Sequence, residues 1–180
     1  MRHLAVSAIG RDRPGIVAAV SEVLLEHRGN IEDSQMTILR GRFTIMLIVA
    51  TPDGADVDRL RNDLEQARGR LGLDALTVSE VTEVEAAAEP LPSHILSVYG
   101  ADHPGIVHAV SSTLAEQQVN ITDLTTRLVG GEEGEPLYAM MIEMALPQGT
   151  SIDSIEESLR EVGERQGVEL TIRPLEQDVL

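Results

Sequence analysis

Gly10-Arg11-Asp12-Arg13-Pro14-Gly15-Ile16-Val17 returns ninety residues later as Gly100-Ala101-Asp102-His103-Pro104-Gly105-Ile106-Val107. The match runs on: Ala19, Val20, Ser21, Leu24, Glu26, Asn30, Ile31 and Asp33 recur as Ala109, Val110, Ser111, Leu114, Glu116, Asn120, Ile121 and Asp123, giving fourteen identities within twenty-four residues. A repeat this dense means one structural unit used twice. Farther along the offset becomes 95, with Met46 answering Met141, Pro52 answering Pro147, Leu64 answering Leu159 and Gly72 answering Gly167. Five residues have been added, and a hairpin tip is where an insertion costs least, so Arg40-Gly41-Arg42 corresponds to the longer Gly130 to Pro136. Residues 1–85 and 94–175 are the expected domains, joined by a linker over 86–93 that Pro90 and Pro92 stiffen, with a tail over 176–180.

Within each copy the apolar spacing predicts six elements. Leu4, Val6 and Ala8 alternate as a strand, as does Ile95 to Tyr99. Gly10 to Gly15 turns the chain, and Ile16, Val17, Val20, Val23 and Leu24 then recur at helical spacing, with Asp12 in the cap region and Pro14 in the first turn. Ile31 to Leu39 and Phe43 to Ala50 form a hairpin. Val57, Leu60, Leu64, Ala67 and Leu71 mark a second helix closed by Gly72, and Leu76 to Val84 reads as the last strand. The order βαββαβ, twice, predicts an α+β chain of two ferredoxin-like sandwiches, each with both helices on one face of an antiparallel sheet. Met36, Met46, Met140, Met141 and Met144 are expected to fill its irregular core.

Composition narrows the function. The chain has 180 residues, 42% of them hydrophobic and 24% charged, which is a globular balance without a run of about twenty apolar residues, so no membrane partner is expected. Its first residues read as a strand rather than a signal core, and a cytoplasmic location is expected. With no cysteine, disulfides, thiolate nucleophiles and cysteine zinc sites fall away. All fourteen basic residues are arginine, which removes Schiff-base chemistry and a phosphate-gripping lysine. A net charge of −16, with one Phe, two Tyr and no Trp, argues against direct nucleic-acid binding. Residues 91–180 hold four Arg against fifteen acids, a surface suited to solubility or to a basic partner. Gly-x-Ser-x-Gly, His-Glu-x-x-His and Gly-x-Gly-x-x-Gly patterns are all missing from the sequence, so an enzyme is not expected.

The Asp-x-Pro-Gly-Ile-Val segments, each followed by Asn-Ile-x-Asp after one helix, closely resemble the ACT domain, a small ligand-binding regulatory module. The resemblance covers nearly the whole chain. A tandem pair of this length is similar to the glycine cleavage system transcriptional repressor group, which implies regulation of amino-acid metabolism through protein contacts. Formyltetrahydrofolate deformylase opens with a similar segment, but its hydrolase domain has no counterpart here. The resemblance also implies a bound amino acid, with the site in a seam between domains, and a homodimer.

The matched residues suit such a ligand. A turn over Asp12, Arg13, Pro14, Gly15 and Ile16 aims the first free N–H groups of a helix at one spot, which favours a carboxylate. Asp102, His103, Pro104, Gly105 and Ile106 do the same in the second copy. The same residues also make a competent helix start with no ligand. Asn30 and Asn120 can serve an ammonium and a carboxylate at once, or can simply ease a left-handed turn. Ile31 and Asp33 share one strand parity while Met36 and Ile38 have the other, and Ile121 with Asp123 shows the same break. A bulge or a late strand start there would turn the carboxylates toward an amine, the alternative being solvated aspartates. Arg13 could clamp a carboxylate or lie along the surface, and His103 could touch a ligand or sense pH. His103 and His108 stand too far round a helix to share a metal with Asp102, and neither metal nor cofactor is expected. The leading reading is a non-catalytic regulator that binds a small effector such as glycine or serine. The alternative is an interaction module with vestigial sites that holds a transcription factor or metabolic enzyme.

Overall fold

The computed structural model describes residues 1–81, 91–130 and 137–175. The chain divides into two compact units, Met1–Glu85 and Ala86–Leu180. The first contains β1 (Arg2–Arg11), α1 (Ile16–Glu26), β2 (Asn30–Leu39), β3 (Arg42–Thr51), α2 (Val57–Leu71) and β4 (Leu73–Val81). The second contains β5 (His94–Ala101), α3 (Ile106–Glu116), β6 (Asn120–Val129), β7 (Leu137–Ala145), α4 (Ile152–Gln166) and β8 (Val168–Pro174). The sheets run β2-β3-β1-β4 and β6-β7-β5-β8, with every pairing antiparallel. Each unit is a ferredoxin-like βαββαβ sandwich.

Period-two alternation puts Leu4, Val6 and Ala8 of β1 and Phe43, Ile45, Leu47 and Val49 of β3 on one face, where they pack with Ile16, Val20 and Leu24 of α1 and Leu60, Leu64 and Ala67 of α2. Leu96, Val98, Met140, Ile142 and Met144 play the same part in the second unit, against Ile106, Val110, Leu114, Ile155 and Leu159. The methionines divide by that alternation. Met140 and Met144 are buried, whereas Met141, Met36 and Met46 are about half exposed, against the expectation that all five fill the core.

Two helices are too narrow to roof four strands. Met36 pairs with Ile45 and Ile38 with Phe43, so both lie on the helix side of the sheet, yet each is 47% exposed. Leu124 and Leu128 of β6 are left open in the same way. The β2–β3 turn is only Arg40 and Gly41, with φ of 48° and 78°, the paired left-handed geometry that a two-residue hairpin turn demands. In the second unit the connection runs from Gly130 to residue 136, which places the five added residues at this hairpin. The acidic tip carrying Glu132, Glu133 and Glu135 lies outside the described residues, as do residues 82–90, which hold the end of the expected last strand and most of the linker expected over 86–93, and the tail over 176–180.

Two local expectations are corrected. The last strand begins at Leu73 rather than Leu76, and β1 continues through Arg11, so Gly10 is a strand residue and not the start of a turn. A Cβ on Gly10 would stand 2.8 Å from Leu73 Cδ2, and one on Gly100 would stand 2.6 Å from Val168 Cγ1. These glycines let neighbouring strands close up.

Candidate functional site

The helix after each first strand starts on glycine. Gly15 is the N-cap of α1 with φ 94°, Gly105 is the N-cap of α3 with φ 108°, and no side chain caps either helix. Ala19 N–H donates to Gly15 O at 3.0 Å and Ala109 N–H to Gly105 O at 2.9 Å, so the earlier N–H groups of the first turn lack intrahelical acceptors. They face outward at the positive end of the helix dipole. This corrects the expected cap. Asp12 and Pro14 stand before the helix, and Asp12 instead uses its own N–H, donating to Gly41 O at 2.9 Å and tying the turn to the β2–β3 hairpin.

In the second unit the turn forms one wall of an open cleft of about 370 Å³, lined by Asp102, His103, Pro104, Gly105, Ile106, Val107 and Tyr138. Five of these are the residues expected from the sequence. Tyr138 of β7 was missed; Phe43 stands at its place in the first copy, and the 95-residue offset pairs the two. Its hydroxyl donates to Met140 Sδ at 3.7 Å, a weak acceptor. Burial, then the charge of Asp102, pushes the Tyr138 phenol up, while a hydrogen bond with Thr126 pulls the other way.

His103 does not face open solvent with a free nitrogen. Its Nε2 lies 2.7 Å from Gln166 O at the end of α4, and its Nδ1 lies 3.1 Å from Pro104 O. The Gln166 carbonyl first and the Pro104 carbonyl second push the imidazolium above the usual 6.5, with desolvation opposing and the Asp102 charge adding. In the first unit Arg13 holds the matching position, and its Nη2 donates to Arg70 O at 3.2 Å near the end of α2.

The strand residues form a separate group. Ile31 pairs with Val49 and Asp33 with Ile48, so Glu32 is an extra residue, and the same shift falls between Ile121 and Asp123. Of the two readings the parity break allowed, the bulge is the one the strands adopt, since β2 and β6 already run from Asn30 and Asn120. The bulges put Ile31 on the helix side with Met36 and Ile38, and Asp33 on the opposite face. Glu32 turns to His3, with Oε2 3.2 Å from Nε2. Asp33 Oδ1 accepts from Ser34 N–H at 2.7 Å, and Asp123 Oδ2 accepts from Thr125 Oγ1 at 3.4 Å, so both carboxylates are engaged along their own strands.

The two groups do not meet within a unit. Asp33 lies across from Ile48 and Ile48 across from Ala5, whereas the turn follows Arg11. Ala5 to Arg11 is ~20 Å of strand at ~3.4 Å per residue, so Asn30, Ile31 and Asp33 sit at the far end of the sheet from Asp12 to Ile16. Asn120, Ile121 and Asp123 are likewise remote from Asp102 to Ile106, since Asp123 is level with Ile95 and Leu137 with Ala101.

Sequence reasoning also missed a larger groove of about 710 Å³ between α4 and β8, bordered by Glu156, Arg160, Gly163, Glu164, Leu170 and Ile172 among others. Among the described residues no three His, Asp or Glu side chains cluster as metal ligands, and no helix is long and apolar enough to cross a membrane.

Comparison with known proteins agrees with this architecture. ACT-domain models match residues 2–77 and residues 94–164. The chain belongs to the ACT-domain family, as two such domains in tandem. It is homologous to the glycine cleavage system transcriptional repressor of Escherichia coli, with 27% identity over 161 residues covering 88% of this chain and 82% of that one. Phosphoserine phosphatase SerB2 of Mycobacterium tuberculosis is 25% identical over 169 residues, 93% of this chain but 39% of that protein, so the chain spans well under half of that enzyme's length. The crystal structure of an unknown protein from Galdieria sulphuraria superposes with a TM-score of 0.80 at 28% identity, covering 97% and 98% of the two chains.

Proposed function

We propose that the protein is a non-catalytic, cytoplasmic regulator of amino-acid metabolism that binds a small amino acid, glycine or serine first among them, at its glycine-capped turns. The observation that carries this is the cleft of the second unit, where uncapped helix N–H groups, Asp102 and Tyr138 border one space. The N–H groups suit a carboxylate and Asp102 suits an ammonium, the two charges every free amino acid presents. The Asn30 and Asn120 groups lie at the far ends of their own sheets from these turns, so the turn itself is the primary contact for the effector. Binding shifts the balance between two domain arrangements, for which a coupling of ~1–3 kcal/mol is sufficient, and a partner protein reads the shift. The naming of the Escherichia coli relative points to transcription of glycine-cleavage genes as the output.

Calorimetric titration of the full chain with the common amino acids tests the reading, alongside Asp12→Ala and Asp102→Ala. Saturable binding that weakens about tenfold or more, ~1.4 kcal/mol, in one variant is expected. Folded protein that gives no saturable heat with any of them overturns it.

A second reading rests on β2 and β6, whose residues are almost all exposed and which carry Met36, Ile38, Leu39, Leu124, Leu128 and Val129 on open edges. Such edges serve a homodimer, or a module that holds a transcription factor or metabolic enzyme regardless of effector. Capture of the same partner with and without amino acids favours that reading.

A further inference from the structure

Positions 13 and 103 are equivalent in the repeat, and both side chains reach the C-terminal end of the second helix in their own unit, Arg13 to Arg70 O and His103 to Gln166 O. The last carbonyls of a helix lack intrahelical partners and carry the negative end of its dipole, so a cation is the natural cap there. Guanidinium is a permanent cation; imidazole is not. A carbonyl only accepts, and a neutral imidazole has a single N–H. His103 places Nε2 2.7 Å from Gln166 O and Nδ1 3.1 Å from Pro104 O, so both contacts are hydrogen bonds only when both nitrogens carry a proton.

We propose that His103 is a proton-operated latch that ties the Asp102–Gly105 turn to the end of α4, held by two hydrogen bonds while the ring is an imidazolium and by at most one when it is neutral. Arg13 keeps the matching turn of the first unit tied regardless of pH. The latch thus makes one of two otherwise repeated turns responsive to acidity. Its bearing on effector binding rests on the reading of this turn as an effector site; the latch itself does not.

The surrounding charges set the direction. Asp102 stands beside the ring on the same turn and favours the cation, and Tyr138 of β7 lines the same cleft with its phenol neutral near pH 7. The adjoining ends of α4 and β8 carry Glu164, Arg165 and Glu169. The folded pKa is raised by the two carbonyls, so the doubly bonded imidazolium persists above the ordinary 6.5 and is lost as pH rises through the raised value.

The test is a pH titration of the effector-free full chain by nitrogen-15 NMR. Both ring nitrogens of His103 are expected to hold the imidazolium shift beyond pH 6.5, and the amides of Gly105, Ile106 and Gly167 are expected to move with the ring's midpoint. His103→Arg should abolish that movement, and Arg13→His should produce a matching one at Gly15, Ile16 and Gly72. A His103 midpoint at or below 6.5, a Gly167 amide that does not follow the ring, or amides that titrate unchanged in His103→Arg would each overturn the latch. No effector is present in these measurements, so a protein that binds no amino acid in the calorimeter still gives a clear answer here.

Discussion

Gly163 in α4 lies so close to Leu170 in β8 that a Cβ on it would stand 2.5 Å from Leu170 Cδ1, and 2.8 Å from Val168 O. Glycine inside a helix normally costs up to about 1 kcal/mol relative to alanine, yet here the close approach needs it. Gly163→Ala is therefore expected to destabilise the second unit by ~1–3 kcal/mol, the usual range for overpacking. Gly69 in α2 has nothing within 4 Å of where its Cβ would be, and Gly69→Ala is expected to stabilise the first unit by ~0.5–1 kcal/mol. Urea unfolding of the two variants, followed unit by unit through amide exchange, should show opposite signs; equal signs would defeat the packing argument.

The glycine N-caps make a conformational prediction. With φ of 94° and nothing within 4 Å, Gly15 has room for a methyl group but not the backbone freedom to carry one. Gly15→Ala and Gly105→Ala are each expected to cost ~1–2 kcal/mol from strain alone. Thermal unfolding measures this. An unchanged melting temperature in both would mean that the turn relaxes at no cost.

Tyr138 gives a prediction in alkali. Its folded pKa is raised above 10, so the unfolded chain ionises first, and this group's contribution to stability is lost as pH climbs through the raised value. Absorbance at 295 nm should show a late-titrating phenol that Tyr138→Phe removes. Asp102→Asn should bring that phenol down, because a negative neighbour no longer opposes the phenolate. A midpoint that ignores Asp102 would place the two groups farther apart than the structure does.

The helix pair in each unit is bridged at equivalent positions by different chemistry. His27 Nε2 lies 2.9 Å from Asp63 Oδ2 between α1 and α2, and Gln117 Nε2 donates to Ser158 Oγ at 3.1 Å between α3 and α4. Replacing His27 and Asp63 together by Gln and Ser is expected to change stability by no more than ~1 kcal/mol, since one bridge replaces another. His27→Ala alone leaves Asp63 without that contact and is expected to cost more than the double replacement. A double-mutant cycle in urea decides the order.

Much of the fold was legible because its signals were local and doubled. The repeat located the elements, the added five residues fell at the hairpin, and the shared parity break at Ile31/Asp33 and Ile121/Asp123 marked where both bulges lie, though a late strand start would have read the same. What escaped were long-range facts. Asp-x-Pro-Gly has the composition of a side-chain cap, but pairing with β3 carries β1 on to Arg11 and moves the helix start to Gly15. Gly10 reads as a turn until Leu73 is seen against it. Tyr138 drew no reading at all, because alternation says which face a side chain takes and not that the face borders a cleft. Met36 was expected inside for the same reason: the sequence contains its parity but not the width of the helix layer above it.

The bulges at Glu32 and Thr122 have a consequence for growth. A sheet margin with one unbroken pleat can template copies of itself indefinitely, the route by which folded proteins become fibres. Here the pleat changes phase near the start of β2 and β6, so a newcomer whose faces match beyond Asp33 or Asp123 arrives at Ile31 or Ile121 out of phase. Beyond the bulge the margins of β2 and β6 therefore offer an in-phase partner one unbroken run each, Asp33–Leu39 and Asp123–Val129, which sets the length of strand that pairs there without a break.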